Sequence, residues 1–119
     1  MAYSDRTVQI DLTYLKAMSD GDEGFIKTMI ETFLTTVPDI IGKIDHYHKA
    51  KEWEALGQEI HKLKPTLKYL GVHSLNEVMP ETEANCKAAE NIDQIDRGVE
   101  QITKVTESVL VEARAIFDA

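Results

Sequence analysis

The stretch Ile60-His61-Lys62-Leu63-Lys64-Pro65-Thr66-Leu67-Lys68-Tyr69-Leu70-Gly71 decides how this chain folds. Ile60, Leu63, Leu67 and Leu70, with Leu56 ahead of them, recur three and four residues apart, the spacing of one apolar stripe along a helix. The pattern predicts a helix from about Trp53 to Leu70, closed by Gly71 in a left-handed cap. Its start is less marked, because Lys51-Glu52 puts an acidic residue near the first turn but provides no good cap. At about 100° per residue, His61 falls well round from the stripe, on a flank shared with Gly57, Lys64 and Lys68, so its ring is expected to reach water.

The same periodicity continues on both sides. Upstream, a short helix is expected from Asp11 with Leu12, Leu15 and Met18, broken at Ser19-Asp20-Gly21. Asp20 with Glu23 reads as a reciprocal cap for a second helix lined by Phe25, Met29, Phe33, Val37, Ile40 and Ile44. Pro38 interrupts its hydrogen-bond ladder, and a single kinked helix to about His48 is preferred over two separate ones. Downstream, Ser74-Leu75-Asn76-Glu77 has the form of a capping box and opens a weakly patterned helix through Val78, Met79, Thr82 and Cys86, with Pro80 near its first turn. Asn91 with Gln94 opens the last helix, striped by Ile95, Val99, Ile102, Val105, Val109 and Ile116. No stretch alternates long enough to argue for a sheet. The chain reads as all-α, an up-down-up-down four-helix bundle with a short extra N-terminal helix.

A length of 119 residues suits one domain, expected over 1–119 with its core at about 10–118, and Met1 close to the domain's start favours a freestanding protein. The net charge of -8 argues against a nucleic-acid partner, since phosphate backbones are bound by basic stripes. Cys86 is the sole cysteine, which excludes a disulfide framework and reads as a packed helical thiol. No apolar run approaches the roughly 18 residues of a membrane span, and the cytoplasm is the default location.

Within this acidic chain Lys62, Lys64 and Lys68 gather cations around His61, where an anion could be held. Neighbouring ammonium groups also disfavour the imidazolium and so favour a neutral, nucleophilic ring. Taken alone, the lysines read better as an ordinary solvated face pairing with Glu54 or Glu59.

His61-Lys62-Leu63-Lys64, the alcohol of Thr66, and Gly71 resemble the H-x-L-K-x-(S/T)…G signature of histidine-containing phosphotransfer (HPt) domains. Chain length, the short first helix, the acidic break Asp22-Glu23-Gly24 leading to Phe25, and the long helix before the histidine helix resemble that family too, over roughly residues 10 to 118. The resemblance implies that His61 is the phosphoacceptor through Nε2, that Lys64 neutralises phosphoryl charge with Lys68 nearby, and that Gly71 closes the helix. It implies a side chain of the next helix on the other ring nitrogen, for which Glu83 is nominated with Glu81 in reserve. Where the family has a glycine after the lysine, this chain has Pro65, which cannot donate to the His61 carbonyl, so a kink is expected at that turn.

The implied activity is to take a phosphoryl group from a receiver-domain aspartate, or from a hybrid histidine kinase, and pass it to another receiver, without nucleotide hydrolysis. The Mg²⁺ would belong to the partner's acidic pocket, leaving no intrinsic metal or cofactor. Docking is expected on apolar residues near His61, namely Leu12, Leu15 and Phe25, on a monomer. The nearest rival is the dimerisation and phosphotransfer helix pair of a sensor kinase, similar at His61 to Thr66 but with an acid directly after its histidine and proline five residues on. A di-metal carboxylate bundle would need Glu-x-x-His on two helices, and only Asp45 with His48 approaches it. His46, His48 and His73 read as surface residues. A non-catalytic helical adaptor is the remaining alternative.

Overall fold

Five helices follow one another in the computed structural model, which describes residues 9–119: α1 (Thr13–Met18), α2 (Glu23–Lys49), α3 (Trp53–Tyr69), α4 (Val78–Ala88) and α5 (Ile92–Asp118). Helices α2 to α5 each pack on their chain neighbours, α5 closes back on α2, and α1 lies against α2. This is the expected four-helix bundle with an additional short helix, and no strand occurs among the described residues. None of the helices described is long and apolar enough to cross a membrane.

The bundle interior is built by the apolar stripes. Helix α2 buries Ile26, Ile30, Phe33, Val37, Ile40 and Ile44. Its first turn is rotated by one residue from the expected stripe, so that Ile26 and Ile30 point inward, Met29 is half-buried and Phe25 stays 39% exposed. Helix α2 remains one element through Pro38, whose ring faces solvent while Val37 and Ile40 keep both halves in the core. Helix α3 buries Leu56, Ile60, Leu63 and Leu67, as its stripe requires. Along α5, Ile95, Val99, Ile102 and Val109 are buried, Val105 and Ile116 are half-buried, and the small Gly98, Thr106 and Ala113 complete the inner face.

Helix ends depart from expectation more than helix bodies do. Asp22, not Asp20, caps α2, its carboxylate accepting from the Phe25 N–H at 3.1 Å. Asp20 is instead a left-handed turn residue at φ 57°, a conformation in which it cannot serve as the cap. The capping box at Ser74 does not form, because the Ser74 hydroxyl donates to Gln9 Oε1 at 2.7 Å and α4 begins only at Val78. Asn91 precedes α5 but turns left-handed, and its amide donates to Asn85 Oδ1 at 2.9 Å rather than the carbonyl capping the helix.

The end of α3 follows the expectation in full. Gly71 has φ 71°, its N–H bonds the Lys68 carbonyl at 3.0 Å, and the Val72 N–H bonds the Leu67 carbonyl at 3.0 Å, which together make a Schellman closure. Glycine is required there twice over, since a Cβ would also collide with the backbone carbonyl of Asp11, whose N–H bonds the Leu70 carbonyl at 2.8 Å. Replacing Gly71 with Ala is therefore expected to lower stability by about 1–3 kcal/mol in chemical denaturation. Gly42, exposed inside α2 with open space around its Cα, should behave oppositely, with Gly42→Ala raising stability by about 0.5–1 kcal/mol.

Candidate functional site

Small residues let α3 and α4 come together beside His61. Gly57 is buried, and a Cβ placed on it would stand 3.1 Å from the Cys86 Cβ, so the two backbones are nearly in contact. Gly57 was expected on the wet flank with His61, and its burial is a correction: α4 covers that flank at the level of Gly57. One turn further along α3, His61 clears the neighbour and its side chain is 69% exposed.

The close approach raises Glu83 of α4 to the histidine. Its Oε2 lies 2.8 Å from His61 Nδ1, and its Oε1 accepts from Lys64 Nζ at 3.1 Å, so one carboxylate holds both expected site residues. An ionised carboxylate only accepts, which assigns the hydrogen to Nδ1. Whenever the ring is neutral, its lone pair is then at Nε2. Burial acts to raise the Glu83 pKa, but the hydrogen bonds from Lys64 and His61 outweigh it and hold the carboxyl below its ordinary value. Glu81, the reserve candidate, lies exposed two residues earlier, about 200° round α4 from Glu83.

The lysines have separate fates. Lys62 donates back along α3 to Glu59 Oε2 at 3.0 Å, Lys64 is committed to Glu83, and Lys68 is exposed with no carboxylate paired to it among the described residues. Helix α3 runs through Pro65 as one element, with Pro65 exposed on the same side as His61. A hollow of about 590 Å³ opens on the α4 side of His61, and another of about 560 Å³ runs toward the α3–α4 connection; His61, Lys64 and Pro80 border both. Cys86 beneath the site is buried, which pushes its thiol up to about 11 and leaves it a packing residue.

Of the apolar residues expected to dock a partner, Leu15 is wholly buried and is withdrawn from that role. It is the side chain that seats α1 in the core, and Leu12 is half-buried beside it. Phe25 does face solvent, with Tyr14, Met18 and Tyr69 also exposed. The Tyr14 and Tyr69 rings sit 5.9 Å apart, a pairing missed in the sequence although Tyr69 lies visibly off the α3 stripe. Asp45 and His48 do not form a metal-binding pair: Asp45 pairs with Lys49 at 3.0 Å and His48 with Asp96 of α5 at 2.7 Å. That bond leaves His48 half-buried, while His46 and His73 are exposed.

Comparison with known proteins gives two matches of different extent. The family model described as Hpt domain matches residues 28–112. The phosphorelay intermediate protein YPD1 of Candida albicans is 34% identical over 59 residues, which cover 50% of this chain and 32% of that protein. The match thus spans about a third of the relative's length. No solved structure matches the chain significantly.

The depressed Glu83 pKa carries a sign that can be measured. A carboxyl lowered in the folded state adds stability above its unfolded value, near 4.5, and that stability is lost as pH falls through the folded value. The stability difference between the native chain and Glu83→Gln should therefore be largest at neutral pH and close toward zero in acid. Denaturant titrations of both proteins at a series of pH values check this, and a gap that widens in acid would contradict it.

Proposed function

The chain belongs to the Hpt domain family, and from that premise we propose that it is a phosphorelay intermediate in which His61 accepts a phosphoryl group from a receiver-domain aspartate and passes it to another receiver. The observation that carries this reading is the single carboxylate shared by His61 and Lys64 at an exposed ring. Glu83 holds the Nδ1 hydrogen, which leaves Nε2 as the nucleophile. Nε2 attacks the phosphorus in line, the bond from phosphorus to the donor's carboxylate oxygen breaks, and that carboxylate departs with the electron pair. The ring then carries phosphorus on Nε2 and hydrogen on Nδ1, and its positive charge faces the Glu83 carboxylate.

Lys64 has a different task. Its ammonium is within reach of the reacting group and balances the negative charge on the transferring oxygens, an effect of greatest value where charge develops. Return transfer reverses these steps. Mg²⁺ on the partner would shield the same oxygens in both directions. A cytoplasmic monomer is the form of the protein that suits this role.

Transfer is tested by mixing the chain with a receiver charged by radiolabelled acetyl phosphate. The native chain should acquire an acid-labile, alkali-stable label, and His61→Gln should acquire none. Lys64→Ala should keep the label but gain it more slowly, by on the order of 10²-fold. Undiminished labelling of His61→Gln would sink the assignment.

A further inference from the structure

The hollows on either side of His61 differ in charge. That on the α4 side counts Glu54 and Glu83 among its walls together with Lys62, Lys64 and Lys87. The one toward the α3–α4 connection is bordered by Lys64, Lys68, His73 and Asn76 with an apolar lip of Pro65 and Pro80, and no carboxylate lines it. In a chain whose net charge is -8, such a carboxylate-free hollow beside the reacting ring is a local reversal of sign.

Lys68 makes that reversal available to a partner. Lys62 and Lys64 are each engaged by a carboxylate of the chain itself, whereas Lys68 has none among the described residues and stands exposed. It lies on the same flank of α3 as His61, and the rise of a helix places the two about 10 Å apart along the axis.

Resting on the transfer function proposed above, we infer that this hollow receives the acidic rim of the partner that bears the phosphorylated aspartate, with Lys68 as the residue that selects it. A site that binds Mg²⁺ through carboxylates next to a reacting aspartate is necessarily acidic. The net negative charge of this chain opposes the approach of such a surface, and a cation free of internal partners offsets that opposition where it counts. The α4-side hollow is less suited, since its own carboxylates repel the same rim. The partner segment that fits carries a carboxylate about 10 Å from the phosphoryl group, the helix rise between Lys68 and His61, and an apolar contact for Pro65 and Pro80.

The experiment is rapid-quench transfer from a phosphorylated receiver to the full chain, over a range of receiver concentrations and at two ionic strengths. Lys68→Glu should raise the half-saturating receiver concentration about tenfold or more while leaving the saturated rate within about twofold, and should flatten the loss of efficiency with salt. Lys87→Glu, a reversal in the other hollow, should change the half-saturating concentration by less than about twofold. Circular dichroism confirms that both variants are folded. The inference is overturned if Lys68→Glu stays within twofold of the native chain, or if Lys87→Glu has an equal or larger effect. A native chain that takes no label from any receiver overturns the transfer function itself, a result distinct from either of these.

Discussion

The close approach of α3 and α4 at Gly57 is the constraint on which the site depends. The Glu83 carboxylate can reach His61 only because nothing larger than hydrogen stands between Gly57 and Cys86. Cys86 serves the same end from the other helix, as a small buried side chain, and Gly98 does so against Thr82 where α5 meets α4. Helix α4 is 11 residues long and weakly amphipathic by sequence, so its position is dictated by these close approaches more than by a stripe of its own. A bundle interior of Ile, Leu and Val supplies the cohesion, and the small residues set the spacing.

An exposed histidine ordinarily samples several rotamers, and its ring nitrogens exchange hydrogen with water. Here one carboxylate, itself half-buried, fixes the ring by Nδ1 and fixes Lys64 at the same time. Half-burial matters, because it strengthens both bonds relative to a fully solvated pair without removing the ring from the solvent. The lysines alone gave an incomplete picture of the local charge, for Glu83 and Glu59 each answer one of them. What remains uncompensated is displaced along α3 from the ring rather than gathered around it.

Most of the bundle could be read in the sequence, and the errors share a cause. Stripes report which face meets the core, and those of α3 and α5 were legible because they are long; Gly71 was legible because a left-handed closure needs glycine. Capping signatures were misread at Asp20, Ser74 and Asn91, where polar side chains found partners the sequence does not announce, such as Gln9 for Ser74 and Asn85 for Asn91. Burial of Gly57 was equally hidden, as was which of Leu12, Leu15 and Phe25 would sink into the core. Each depends on which neighbour arrives, α4 over the first and the rest of the core around the second, and a helical wheel of one segment does not contain its neighbours. Glu83 was reachable only through the resemblance of the histidine helix to a known family, since nothing in its own helix singles it out from Glu81.

Leu15 has a further significance for motion. A helix of six residues is too short to persist by itself in water, so α1 owes its shape to the one side chain it sinks into the bundle and to the strap formed by Asp11 against Leu70. Such an element can detach as a unit at little cost while the long helices stay intact, and its amides would then exchange with deuterium far sooner than those of α3 or α5. Tyr69, whose ring meets Tyr14 of α1, would be uncovered by the same opening. That face of the histidine helix is thus fastened by a short cover, held by Leu15 and the Asp11 strap, over a scaffold that has no need to move.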